Sequence, residues 1–386
     1  MDFDHTPEQQ DLRDAVAKLG KRYGHDYWVR KAKADEHSDE LWEEAGRLGY
    51  LGVNVPDEFG GGGAGITELA IVCEELAAAG SPLLLLVVSP AIAATIINRH
   101  GTPAQRGALL PGFADGTLKV CFAITEPDAG SNFHRLATVA RPTASGYSLT
   151  GRKVYISGVD ECSSIVVVAR LEDSRTGKLR PALFLVPTDA PGLTATKIDM
   201  EIVSPENQFQ LFLDDVQVPS SALIGESVDA GLPALFAGLN PERITVSAMA
   251  CGMARYALER ASTYASTRSV WGRPIGSHQG VAHPLAHAQI QLELARLMVA
   301  KAAALYDAGR DLEAGVAANM AKYASADAAA LAVDTAIQTL GGNGMTTEYG
   351  VATLLGAVRA GRIAPVSREM ILNFVAQHLM GQEKSY

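Results

Sequence analysis

The period of the hydrophobic pattern changes twice along this chain, and those changes limit the fold more than any bulk property does. From Thr6 to about Gly116 apolar residues recur at helical spacing: Leu12, Ala15, Val16 and Leu19 share one face, and DELWEEAGRLGYLGV continues the period. Between Leu118 and about Ile224 strand-like runs take over, namely LKVCFAIT, GYSLTGRKVYIS, SSIVVVARL, PALFLVP and FQLFLDDVQVP, separated by turn residues. In the last of these Phe209, Leu211 and Leu213 alternate, and Asp214-Asp215 shifts the register before Val216 and Val218. That predicts a bulge or bend in a half-buried antiparallel strand. From Gly231 onward long Ala-rich segments return to helical spacing, with small residues that let helices pack closely. The expectation is an α+β chain in three parts: a helical domain over 1–117, an antiparallel β domain over 118–228 and a helical bundle over 229–386.

Local punctuation refines this. Thr6-Pro7-Glu8 and Thr102-Pro103 read as helix starts, since Thr caps and Pro suits the first helical position. Gly60 to Gly63 read as a flexible loop; no Lys-Ser/Thr follows and no strand precedes, so no phosphate site is implied. Within GLNPERITVSA the same grammar makes Asn240 a cap, Pro241 the first helical residue and Glu242 an acid that complements the macrodipole. On local grounds Glu242 is therefore a helix-start residue, and a catalytic role is the competing reading.

At 386 residues and 47% hydrophobic the chain can bury a sizeable core. A net charge of -10, without a Lys/Arg cluster interleaved with aromatics, argues against a nucleic-acid surface. The acidic start MDFDHTPEQQ lacks the basic character of a signal or transit peptide, and Pro90 interrupts the most apolar run before it could span a bilayer. A cytoplasmic protein without a membrane span is expected. Cys73, Cys121, Cys162 and Cys251 are scattered without metal-ligand spacing, so neither a zinc site nor a disulfide framework is indicated and buried free thiols are expected.

The order helical, β, helical, together with four motifs, resembles the acyl-CoA dehydrogenase family over essentially the whole chain. CFAITEPDAGSN resembles that family's strand-loop signature, LTGRKVYISG its next hairpin, RSVWGRPIGSHQ its Arg-x-x-Phe-Gly segment and QTLGGNGMTTEY its Gly-Gly loop. The resemblance implies two helical domains around a β domain, the last a four-helix bundle. It also implies one FAD per subunit, an acyl-CoA substrate, electron-transferring flavoprotein as acceptor and a homotetramer, with a heterotetramer left open. By similarity Thr125 meets the flavin ring edge, Ser131 lies along the CoA side of the cleft, Tyr155 lies against the ring face and Ser157 offers a hydroxyl near N5. Arg268 resembles the pyrophosphate-binding Arg, Trp271 replaces the usual Phe, and Gln279 belongs to the His-Gln pair that meets a neighbour's FAD. Gln338, Gly341 and Gly342 resemble positions where backbone meets a partner subunit's adenine-diphosphate end.

One departure decides the chemistry. In much of the family the base that removes the substrate's α-proton is a Glu in a Tyr-Glu-Gly-Thr segment some twenty residues after the Gly-Gly loop. Counted without gaps, that segment falls on Ala364-Pro365-Val366-Ser367, so Pro365 stands in the glutamate's place; it can neither accept a proton nor donate a backbone N–H. Ser367 keeps a hydroxyl where the family has Thr and, with Glu369 at the start of the last predicted helix, is placed by the resemblance on the cofactor side. A minority of the family, including isovaleryl-CoA and long-chain dehydrogenases, carries the base on an earlier helix in an x-x-Glu-Arg segment. Glu242-Arg243 matches it, which makes Glu242 the expected base, Asn240 a CoA contact and Arg243 a supporting charge. Two rivals remain at this point: a base-deficient partner subunit of a heteromeric dehydrogenase, and a flavin monooxygenase or oxidase on the same fold.

Overall fold

A computed structural model describes residues 4–384 of the chain. Helix α1 (Pro7–Ala34) begins where the Thr-Pro signal places it, with Thr6 and Gln9 closing a reciprocal capping box, and Val16 and Leu19 of its expected face are buried. Helices α2 (Asp39–Arg47) and α3 (Ile66–Ala78) follow. The apolar run enters the core whole, as a π-helical stretch over Val87–Ala94 that continues into α4 (Thr95–His100). Pro90, which cannot donate to an α-helical ladder, lies inside that π stretch. A second Thr-Gln capping box opens α5 (Pro103–Asp115), and Gly116, at φ 79°, closes it.

Seven strands then form one sheet: β1 (Val120–Ala123), β2 (Val139–Pro142), β3 (Gly146–Ser157), β4 (Ser164–Glu172), β5 (Leu179–Pro187), β6 (Leu193–Ile198) and β7 (Gln208–Pro219). Their order is β1-β4-β2-β3-β7-β6, with β5 also paired to β4. Pairing is antiparallel except where β1 and β2 run parallel to β4. The uninterrupted Ile165-Val-Val-Val-Ala run of β4 is fully buried, as a strand covered on both faces requires. Strands β2 and β6 are additions to the expected set. The first is four residues long and the second is an edge strand of mostly exposed residues, so neither shows apolar alternation. The expected irregularity in β7 is a bulge: Leu149 pairs Val216 but Gly151 pairs Leu213, leaving Asp214 and Asp215 opposite Thr150. Asp215, at φ 50°, is held by the Ser148 and Thr150 hydroxyls.

The helical bundle corrects one expectation. Asn240-Pro241 does not start a helix: α6 runs unbroken from Val228 to Thr267, capped by Ser227. Pro241 cannot donate to the Ala237 carbonyl one turn earlier, and the Tyr306 hydroxyl donates to that carbonyl instead, at 3.2 Å. The partner comes from α7 (Gln279–Asp307), far along the chain, so local sequence gives no hint of it. Between α6 and α7 a short hairpin joins β8 (Ser269–Val270) to β9 (Arg273–Pro274). The remaining helices are α8 (Asp311–Leu340), α9 (Leu355–Ala360) and α10 (Arg368–His378). Alanines such as Ala318, Ala321, Ala329 and Ala332 bury the inner face of α8, and α6 packs on both α7 and α8. Gly252 lets α6 approach α3, since a Cβ there would stand 2.3 Å from the Glu74 carbonyl oxygen. All four cysteines are buried and free, and among the described residues no helix is long and apolar enough to cross a membrane.

Candidate active site

Glu242 sits on α6 one residue past Pro241. It keeps a small accessible surface, but its carboxyl lies deep among protein atoms, and among the described residues nothing donates a hydrogen bond to it. Burial pushes its pKa up to about 7, against the opposing pull of Arg243 and Lys322. A carboxylate in that condition can accept a proton near neutrality, whereas one meant to cap a helix would be hydrogen-bonded and acidic. Arg243 turns its Nη1 to the Leu239 carbonyl at 3.1 Å and to Asn240 Oδ1 at 3.4 Å, while its buried Nε has no partner among the described residues. Asn240 Nδ2 in turn donates to the Asp311 carbonyl at 3.2 Å, so its amide ties α6 to the first turn of α8.

The β domain presents a second set of groups, and a bulge explains how. Lys153 pairs Leu211 and Ile156 pairs Phe209, so β3 carries one extra residue at Val154–Tyr155. The bulge puts Tyr155 at φ 59° with 61% of its surface exposed, a strained and uncovered aromatic of the kind found at ligand surfaces. The Val154 N–H freed from the ladder donates to the Thr125 carbonyl at 3.0 Å, which joins the two motifs. Ser157 donates to Gln208 Oε1 at 3.0 Å. Beneath them Lys153 is fully buried against Glu126 at 2.8 Å, and Glu126 also accepts the Ala137 and Thr138 N–H groups. Burial pulls Lys153 down to about 8, with Glu126 opposing. The Ser131 loop is exposed, and just past it Phe133 meets Phe236 of α6 edge-on at 6.3 Å, so this loop and the Glu242 helix stand together.

A third group is solvent-facing. Trp271 occupies the hairpin tip at φ 53° and is 88% exposed, with Arg268 and Gln279 exposed on either side and the buried His278 Nε2 unpartnered among the described residues. Gln338, Gly341 and Gly342 end α8 on exposed surface, and a Cβ at either glycine would meet nothing within 4 Å. Ser367 caps α10 through the Met370 N–H, and Glu369 is exposed in that helix's first turn. The structure thus joins Glu242, Arg243 and Asn240, joins Thr125, Tyr155 and Ser157, and leaves the third set on open surface. A planar aromatic at Tyr155 beside the Thr125 and Ser157 hydroxyls is chemistry suited to a flat ring, and the exposed guanidinium of Arg268 is chemistry suited to a diphosphate.

Two residues of the site were not anticipated. Lys322, on α8, is 2% exposed and donates to the Val366 carbonyl of the Pro365 segment. Its signal was a lone lysine on the small-residue face of AANMAKYASADAAALAV, one turn from Ala318 and close to Ser325. The other is Glu126, the first acid of ITEPDAGSN, whose burial against Lys153 braces the Thr125 loop. Elsewhere His37, Asp39 and Glu161 converge closely enough to hold a cation, but Lys119 Nζ already lies 3.0 Å from both carboxylates.

The N-terminal, middle and C-terminal domains of acyl-CoA dehydrogenases match residues 6–117, 121–216 and 229–380. The chain is 59% identical over 384 residues to the acyl-CoA dehydrogenase FadE12 of Mycobacterium tuberculosis, covering 100% of this chain and 99% of that one. Among solved structures, butyryl-CoA dehydrogenase from Megasphaera elsdenii superposes with a TM-score of 0.91 at 28% identity, covering 98% of this chain and 100% of that one. Glutaryl-CoA dehydrogenase from Mycobacterium smegmatis does so with a TM-score of 0.91 at 28% identity, over 99% and 97%. The chain belongs to the acyl-CoA dehydrogenase family.

Proposed function

We propose that this chain dehydrogenates an acyl-CoA thioester between its α and β carbons with Glu242 as the base. The observation that carries the assignment is the buried carboxyl of Glu242, without a hydrogen bond from any described residue and raised to about 7, on the helix whose Phe236 meets Phe133 just past the Thr125–Ser131 loop. FAD is the cofactor, and when bound it supplies the acceptor for the hydride that leaves the β carbon. Glu242 takes the proton from the α carbon, and its burial both excludes water and keeps it basic enough to do so. Tyr155 would lie against the ring face, Thr125 and Ser157 would offer hydroxyls near its edge, and Arg268 would pair with the diphosphate. Asn240 and Arg243, already bonded to each other, fix the turn that bears the base. The exposed Gln279, Gln338, Gly341 and Gly342 would serve the cofactor end shared with a neighbouring subunit, and Trp271 stands beside Arg268 in place of the usual Phe. Ser131 follows the CoA side of the cleft, and Ser367 and Glu369 border the cofactor.

The same reading makes the protein a cytoplasmic homotetramer that passes electrons to an electron-transferring flavoprotein, with domains divided near 117/118 and 228/229. Anaerobic bleaching of the bound flavin by a panel of straight and branched acyl-CoA thioesters tests it. The wild type is expected to bleach with at least one thioester, and Glu242→Gln to retain yellow FAD while bleaching about a thousandfold more slowly. Equal rates in the two proteins would end the assignment of Glu242. Oxygen uptake stoichiometric with substrate would favour an oxidase.

A further inference from the structure

The two alternative base positions of the fold meet at one side chain. Lys322, on α8, lies near Glu242 and Arg243 of α6 and against Val366 beside Pro365, where the more usual glutamate would stand. Its ammonium donates to the Val366 carbonyl, and its charge acts on both Glu242 and Arg243. A buried lysine is costly unless its charge is used, and one carbonyl accepts only one of its three protons. The charged groups around it are Glu242 and Arg243 from α6, Asp327 from its own helix and Glu369 from α10. Around Glu242 they are Arg243 and Lys322.

We propose that Lys322 is a positioning residue of the Glu242 site, holding the Pro365–Ser367 wall against the base and giving the Glu242–Arg243 pair its second positive charge. The inference rests on the assignment of Glu242 above. With the base ionised, Glu242, Arg243 and Lys322 carry one net positive charge. When Glu242 takes the α-proton that rises to two, as negative charge builds on the thioester oxygen. The cluster therefore favours the ionised base before transfer and the enolate-like charge during it. It supplies by field what Pro365 cannot supply through a backbone N–H.

Acetoacetyl-CoA is a suitable probe, because its acidic α-proton makes enolate absorbance a readout of base ionisation whatever acyl chain the pocket prefers. The holoenzyme is titrated with pH in the wild type, Lys322→Gln, Lys322→Met, Lys322→Arg and Glu242→Gln. Lys322→Gln retains a donor for Val366 and loses the charge, so its enolisation midpoint should rise by about one pH unit. Lys322→Met should show the same rise with weaker acetoacetyl-CoA binding, and Lys322→Arg should keep the wild-type midpoint. A purely structural lysine would lower the melting temperature and FAD content without moving the midpoint. An unmoved midpoint in Lys322→Gln, or a raised one in Lys322→Arg, overturns the role of Lys322 while Glu242→Gln stays inactive. Enolisation surviving in Glu242→Gln overturns the base assignment itself, and the inference with it.

Discussion

Two buried glutamates on helices that pack together, Glu74 on α3 and Glu242 on α6, have opposite fates. Glu74 lies 3.2 Å from Arg13, 2.9 Å from Arg255 and 2.9 Å from Arg296, and the first two also pair with Glu75. Burial alone would raise its pKa, but Arg296, Arg13 and Arg255 outweigh that and hold it below the usual carboxylate range. Glu242 has one adjacent guanidinium turned toward backbone and one lysine bonded to a carbonyl; among the described residues nothing donates to its oxygens, and burial carries it to about 7. The residue type is the same and both carboxyls lie deep among protein atoms, although Glu242 keeps a little more exposed surface, so the partners decide. A paired carboxylate ties helices together, and an unpaired one is left free to exchange a proton.

The sharpest way to break this comparison is to neutralise each acid. Glu74→Gln removes the carboxylate shared by three guanidiniums, leaving Arg13 and Arg255 to Glu75 and Arg296 to Glu293, and should cost about 3 kcal/mol of stability, read as a lower urea midpoint. Glu242→Gln should melt at or above the wild type while losing turnover. Their pH signs differ as well. The stability that Glu74 contributes is present above its unfolded value of 4.5 and is lost as pH falls through its lowered folded value. For Glu242 the neutral form is favoured in the fold, so its contribution is complete below 4.5 and lost as pH rises through about 7. The advantage of Glu242→Gln over the wild type should therefore widen as pH rises from about 4.5 to about 7 and hold steady above that, and a gap that stays constant across that range would contradict the raised value.

A second effect is kinetic. The base must be ionised, so flavin bleaching by a turned-over acyl-CoA should slow about tenfold per pH unit below about 7 and level off above it. A stopped-flow pH series that stays flat through that range would break the account. The smallest expected effect concerns the support of the Glu242 helix. Tyr306→Phe keeps the ring that lies under Arg99 at 4.2 Å but frees the Ala237 carbonyl, for about 1 kcal/mol of stability in chemical unfolding.

How far these features could be read in the sequence follows from where their causes lie. The run GYSLTGRKVYIS gave β3 end to end, and the Asp214-Asp215 register shift gave the bulge of β7, because both are written locally. Asn240-Pro241 was misleading because the group that compensates the missing N–H, Tyr306, lies on another helix. Glu74 and Glu75 look like a solvated acidic pair in CEELAAAG and are buried only because arginines of α1, α6 and α7 converge on them. Lys322 is likewise an ordinary lysine of an Ala-rich helix until α10's approach segment closes over it. Glu242 was singled out as the base by the resemblance and the vacant place at Pro365, while the burial that raises its pKa belongs to the packed structure alone.

The central claim is that Glu242 is kept unpaired so that it exchanges a proton near neutrality, and infrared difference titration of the holoenzyme tests it most directly. A protonated carboxyl C=O band that titrates in the wild type with a midpoint near about 7 and is absent from Glu242→Gln is the predicted result. A wild-type spectrum in which no band missing from Glu242→Gln titrates between the ordinary carboxylate range and alkaline pH would contradict it.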